Sequence, residues 1–112
     1  MTNSLFVTGS SGFIGRNFLN QLEHNKYDKI VCLTRNPSLL TQYISEIQNL
    51  EIVKSDLLDW KKYEDKLKKC NMVIHFAALT GKHKPEAYFR VNTKGTQLLI
   101  DNCKQSGIRN FL

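Results

Sequence analysis

The sequence predicts an α/β fold: a doubly wound parallel sheet of about five strands, with helices on both faces. Three observations carry this. Strand-like and helix-like stretches alternate along all 112 residues, the order from which parallel sheets with crossover helices are built. A glycine-rich turn, Thr8-Gly9-Ser10-Ser11-Gly12-Phe13-Ile14-Gly15, joins the first apolar run to the first helix. Met72-Val73-Ile74-His75-Phe76-Ala77-Ala78 is a nearly continuous apolar run, as a central strand covered on both faces requires.

Each element has its own signal. Leu5-Phe6-Val7 reads as the first strand, and Ile14, Phe18 and Leu22, with Leu19 beside them, predict an apolar stripe on the helix that follows. Lys29 to Thr34 is rich in β-branched and apolar residues and reads as the second strand. Asn36-Pro37-Ser38 breaks it and starts a helix with proline at the first position. That helix takes its apolar face from Leu39, Leu40, Tyr43, Ile44 and Ile47. Leu50 to Asp56 reads as the third strand, and Trp60, Tyr63 and Leu67 predict an amphipathic helix after it.

Pro85 opens the last helix, whose apolar side carries Tyr88, Val91, Leu98, Leu99 and Cys103. Gly95 permits close approach, and Gly107 is the C-terminal cap. Arg109-Asn110-Phe111-Leu112 reads as a fifth strand just begun. The strand order expected from right-handed crossovers is 3-2-1-4-5, a Rossmann arrangement incomplete at its C-terminal edge. It places the switch point between strands one and four, where such sheets bind ligands. A fifth strand this short leaves an open sheet edge, so self-association is expected, and the chain reads as the front part of something longer.

Composition narrows the function classes. With 41% hydrophobic and 23% charged residues, the chain is an ordinary globular one. No apolar run approaches the ~20 residues that cross a bilayer, and Met1-Thr2-Asn3-Ser4 lacks the features of a signal peptide. No membrane partner and a cytoplasmic location are expected. Cys32, Cys70 and Cys103 are odd in number and form no C-x-x-C pair, so they predict buried thiols, with neither disulfide nor metal. The net charge is +6, and basic residues concentrate at Lys61, Lys62, Lys66, Lys68 and Lys69, interleaved with Asp59, Glu64 and Asp65. That pattern predicts a solvated helix face and no nucleic-acid site, and leaves a general attraction for anionic ligands.

The glycine turn carries the chemistry. Strand before and helix after make it a dinucleotide fingerprint, spaced G-x-x-G-x-x-G. No Gly-Lys-[Ser/Thr] follows, which excludes a P-loop. Glycines let the backbone turn sharply and approach a ligand, while the helix start presents free N–H groups to a pyrophosphate. About twenty residues further on, where an Asp or Glu would accept from a ribose 2′-hydroxyl, stands Leu33-Thr34-Arg35-Asn36. Arg35 suits a 2′-phosphate and favours NADP over NAD, although NAD stays possible. Asp56 is placed to accept from the adenine amino group, with Leu57 against the ring; the same carboxylate suits the start of the next helix equally well. A phospho-accepting receiver site would need an acidic pair after the first strand, and that place is Thr8-Gly9. His75, in an apolar strand, is expected to be a hydrogen-bonded core histidine, with His24 and His83 at the surface.

Together these residues resemble the extended short-chain dehydrogenase/reductase family, the NAD(P)-dependent epimerase/dehydratase group. Thr8 to Gly15 is similar to its T-G-x-x-G-F-I-G turn, Asp56-Leu57 to its adenine-side pair, Val73 to Ala78 to its V-I-H-x-A-A strand, and Val91 to Thr96 to its V-N-x-x-G-T helix segment. The resemblance implies that the backbone N–H groups of Phe13 and Ile14 hold the pyrophosphate. It implies that Phe76, Ala77 and Ala78 line the ribose and nicotinamide side, and that Asn92 belongs to a polar network beneath the site. Gly9, Ser11, Gly12, Gly15 and Arg35 complete the expected cofactor set.

The family's chemistry rests on a Ser or Thr and a Tyr-x-x-x-Lys pair. Here Tyr27, Tyr43, Tyr63 and Tyr88 are followed four residues later by Val31, Ile47, Leu67 and Asn92. No catalytic residue is assigned. The expectation is a cofactor-binding part whose full-length form acts on a nucleotide sugar or another carbonyl-containing small molecule. The alternative is a non-catalytic dinucleotide-sensing or scaffold protein.

Overall fold

A computed structural model describes residues 3–44, 47–77 and 82–112, with nothing described of the Tyr43 side chain. In chain order the elements are β1 (Ser4–Thr8), α1 (Phe13–Gln21), a 3₁₀ turn (His24–Lys26), β2 (Lys29–Thr34), α2 (Pro37–Tyr43) and β3 (Leu50–Lys54). A second 3₁₀ turn (Trp60–Lys62), α3 (Glu64–Leu67), β4 (Met72–His75), α4 (Pro85–Tyr88), a π-helical stretch (Phe89–Gly95), α5 (Thr96–Gln105) and β5 (Asn110–Phe111) follow. The strands form one parallel sheet in the order β3-β2-β1-β4-β5, as expected.

Alternation along the strands builds two cores. Leu5 and Val7 of β1 join Ile30, Cys32 and Ile74 under Leu19 of α1 and Leu40 of α2. Phe6, between Val31 and Val73 in register, turns to the opposite face and meets Tyr63, Leu67, Leu99 and Cys103. All five residues of β1 are buried, because this strand is flanked on both edges and covered on both faces. The three cysteines are free and buried, and burial pushes the thiols of Cys32 and Cys70 up to about 12.

The helices depart from expectation in three places. On α1 the buried residues are Gly15 and Leu19, while Ile14 is 65% exposed. The cause is Gly15, whose missing Cβ would lie 2.2 Å from the Gly9 carbonyl oxygen. This contact turns the Gly15–Leu19 line toward the sheet and carries Ile14, one residue back, away from it. The Trp60 helix is two short pieces, broken at Tyr63 with φ −120 and ψ −6. Tyr63 is fully buried against Phe6, on the apolar side expected for it, and donates its hydroxyl to the Leu57 carbonyl at 2.7 Å. The last helix widens into π geometry from Phe89 to Gly95. An added residue shifts the helix face by about 100°, and the polar Arg90, Asn92, Thr93 and Lys94 leave no apolar periodicity to reveal it.

Other boundaries follow from caps. Asn36 accepts from Leu39 N–H at 3.3 Å, with Pro37 beginning the first turn of α2. Gly107, at φ 74, ends α5 with Ile108 N–H bonded to Cys103 O and Gly107 N–H to Lys104 O, a Schellman cap. β3 ends at Lys54 and β4 at His75, each earlier than expected. Lys61, Lys62, Lys68 and Lys69 are exposed as expected, with Lys62–Asp59 and Lys68–Asp65 paired three residues apart, whereas Lys66 is half-buried and pairs with Glu51 of β3.

His75 ties β1, β4 and α5 together. Its Nδ1 lies 2.6 Å from Thr8 Oγ1 and its Nε2 2.9 Å from Thr96 Oγ1, and burial holds its pKa below the usual 6.5. The unfolded chain therefore takes up this proton more readily than the folded one. Stability from His75 is full above pH 6.5 and is lost as the pH falls below it. Thermal unfolding between pH 7.5 and 5.5 checks this: the midpoint falls in the wild type, and His75→Asn flattens that part of the curve.

Candidate functional site

The site is built where β1 ends. Gly9 adopts φ 65, and Gly12 N–H bonds back to Gly9 O at 3.2 Å, closing the turn. The three glycines do different work. A Cβ on Gly9 would lie 2.5 Å from Ala77 N and 2.6 Å from the Phe76 carbonyl carbon, so this glycine seats the turn on the end of β4. Gly15 seats α1 on the turn. A Cβ on Gly12 would meet only the Gly9 carbonyl oxygen, at 3.4 Å. Gly12 therefore faces open space at the helix start, where a ligand needs the backbone bare.

Helix α1 begins there with no side-chain cap and no acidic residue in its first turn. The N-terminal N–H groups and the positive end of the helix dipole are thus left to an anion. In front of them lies a crevice of about 230 Å³, lined by residues from the ends of β1, β2, β3 and β4 and by Val91 of the π-helical stretch. The residues present fit a dinucleotide: an uncapped helix start for its phosphates, a bare glycine before it, and polar groups along one rim.

The β4 wall is held by backbone bonds. Phe76 N–H donates to Thr8 O at 3.2 Å and Ala77 N–H to Thr8 Oγ1 at 3.2 Å. The neutral tautomer of His75 with hydrogen on Nε2 satisfies the whole set: Thr8 donates to Nδ1, and Nε2 donates to Thr96. On the β2 side, Ser10 Oγ donates to Leu33 O at 3.0 Å and Thr34 Oγ1 to Ser11 Oγ at 2.9 Å. On the β3 side, Asp56 Oδ1 accepts from Leu58 N–H at 3.0 Å. One carboxylate oxygen therefore shapes the turn, and Asp56 also lines the crevice. Leu57 is buried, with Gly95 close against it: a Cβ there would lie 2.7 Å from Leu57 Cδ2.

Of the expected cofactor residues, Gly9, Ser11, Gly12, Arg35, Asp56, Leu57, Phe76 and Ala77 line this one crevice. Gly15 lies beneath the turn, and the Phe13 and Ile14 side chains point outward, 75% and 65% exposed. Asn92 is exposed and outside the lining. Ala78 lies outside the described residues. Leu33, Thr34, Ser55 and Val91 also line the crevice and were not among the expected residues. Thr34 was legible as the neighbour of Arg35. Val91 opens the V-N-x-x-G-T segment, yet its apolar character reads as helix packing and gives no sign that it lines the crevice. Among the described residues no group of histidine, cysteine and carboxylate side chains could hold a metal, and no helix is long and apolar enough to cross a membrane.

Comparison with known proteins places this geometry. Residues 5–112 match the NAD dependent epimerase/dehydratase family. The chain is 30% identical to the decarboxylating sterol-4-alpha-carboxylate 3-dehydrogenase of Saccharomyces cerevisiae, across 95% of this chain and 32% of that one. Among solved structures it resembles an epimerase from Methanothermobacter thermautotrophicus, with TM-score 0.84 and 26% identity over 98% of this chain and 34% of the other. It also resembles a dTDP-glucose 4,6-dehydratase from Streptomyces venezuelae with NAD bound, with TM-score 0.81 and 26% identity over 96% and 38%. The chain spans about a third of the length of the curated relatives it matches. Matched from Leu5 onward and sharing the doubly wound sheet of its neighbours, the chain belongs to the NAD dependent epimerase/dehydratase family and carries its dinucleotide-binding fold.

Proposed function

We propose that this chain binds NADP, with NAD as the weaker ligand, and is the cofactor-binding part of an oxidoreductase, isomerase or lyase. The observation that carries this is the crevice between the turn and the end of β4, with an uncapped helix start behind it and Arg35 at its rim. Phe13 and Ile14 would offer backbone N–H groups to the pyrophosphate, and Arg35 would pair with the 2′-phosphate. The free oxygen of Asp56 would accept from the adenine amino group beside Leu57. Phe76, Ala77 and Ala78 would face the ribose and nicotinamide, with Asn92 in the polar network below.

When bound, the nicotinamide supplies hydride exchange. The chain's own part is to hold and orient the cofactor, since no Tyr-x-x-x-Lys pair occurs in its 112 residues. The substrate of the full-length protein would be a nucleotide sugar or another carbonyl-containing small molecule, as the names of a dTDP-glucose dehydratase and a sterol dehydrogenase among the relatives suggest. Three free cysteines support a reducing, cytoplasmic setting. Nucleic acid and membrane are not proposed as partners.

Three outcomes test this reading. Gly12→Val removes NADPH binding in a fluorescence titration at a cost to the fold of about 1 kcal/mol, whereas Gly15→Val costs about 3 kcal/mol by clashing with Gly9. Unchanged titration of Gly12→Val would move the site away from this turn. The wild type binds NADPH more tightly than NADH, and Arg35→Asp reverses the order by about tenfold or more; equal affinities in the wild type would remove the Arg35 argument. The two-residue β5, with Phe111 and Leu112 39% and 82% exposed, supports self-association. Light scattering at high concentration should then report species larger than a monomer, and a clean monomer would count against it.

A further inference from the structure

The β2 rim of the crevice carries a chain of hydrogen bonds running in one direction. Asn36 N–H donates to Thr34 Oγ1 at 3.1 Å, and Thr34 Oγ1 donates to Ser11 Oγ at 2.9 Å. Thr34 is only 4% exposed, so its hydroxyl proton is directed to Ser11. Ser11, half-exposed in the glycine turn, accepts that proton, and its own is not committed to any acceptor among the described residues. The start of the chain is also fixed. The Asn36 side chain caps α2, accepting from Leu39 N–H and from Ser38 Oγ at 2.8 Å, which holds the Asn36 backbone in place.

Two consequences follow for a ligand. Ser11 meets it with an uncommitted O–H, while one of its two acceptor lone pairs is taken by Thr34. Arg35, between Thr34 and Asn36 in sequence, lines the same crevice and is a donor without acceptor capacity. The carboxylate lining the crevice, Asp56, stands at the end of β3 and has one oxygen engaged by Leu58 N–H. A rim of donors suits a group that only accepts. A phosphate monoester on the adenosine 2′ oxygen is such a group, whereas a 2′-hydroxyl both donates and accepts.

We infer that Thr34 is a positioning residue for cofactor choice: its hydroxyl fixes Ser11 as a second donor, beside Arg35, to an adenosine 2′-phosphate. This rests on the NADP reading above and adds to it a group that does not itself touch the ligand. Ser10 Oγ, bonded to Leu33 O, keeps the turn against β2, so the turn stays attached when the Thr34 link alone is removed.

The test is the ratio of NADH to NADPH dissociation constants, measured by titration of the 112-residue chain as wild type, Thr34→Val, Thr34→Ser and Ser11→Ala. The wild-type ratio favours NADPH. Thr34→Val lowers it by about tenfold, the worth of one hydrogen bond to a charged group. Thr34→Ser, which keeps the hydroxyl, holds it within about threefold of wild type. A merely structural role would weaken both cofactors alike and leave the ratio standing, which would overturn the inference while the Arg35 reading survives. A wild-type ratio of one would overturn both. Should Thr34→Val fail to fold, Ser11→Ala decides, since it removes the same donor from the half-exposed turn; an unchanged ratio there is also fatal.

Discussion

Gly9 stands where three pieces of backbone meet. The end of β4 lies against one side of it and Gly15 of α1 against another, at distances that leave no room for a Cβ on either glycine. Its left-handed conformation turns the chain out of β1 and directs α1 back across the sheet. Everything that makes the crevice depends on this approach. It aims the start of α1 at the space between β1 and β4, keeps Phe76 and Ala77 at the wall, and leaves Gly12 bare. It also rotates α1, so that Leu19 reaches the core and Phe13 and Ile14 do not.

The wall opposite the turn is held by polar groups in an otherwise apolar place. Thr8 is fully buried, and its hydroxyl meets both the Ala77 N–H and the ring of His75. Buried polar groups are tolerated when each has a partner, and here the partners come from β4 and α5 as well as β1. Through His75, the group that satisfies Thr8 also ties the crevice wall to Thr96 at the start of α5. His75 has a positioning role of this kind, as its surroundings in an apolar strand indicate.

Much of the site could be read from residue order because its pieces are local. A strand, a glycine turn and a helix in succession need no tertiary information to be recognised, and Asn36-Pro37 and Gly107 mark their helix ends by chemistry confined to a few neighbours. Eight of the expected cofactor residues reach one crevice because parallel strands bring their carboxyl ends to the same edge of the sheet. Long-range partners escaped that reading. Val91 enters the crevice from the π-helical stretch, and Tyr63 breaks its helix to reach the Leu57 carbonyl six residues back and Phe6 across the core.

The sequence by itself determined the order of strands, the class of fold and the place of the phosphate-binding turn, since periodicity, glycine spacing and crossover handedness are properties of the chain taken a few residues at a time. The tertiary structure alone decided which face of α1 is buried, where the last helix widens, and how Thr34, Ser11 and Asn36 connect across the rim. Those outcomes depend on distances between residues remote in sequence. A Cβ that would stand 2.2 Å from a carbonyl oxygen, or a hydroxyl 2.9 Å from its acceptor, is visible only once the sheet has brought both together.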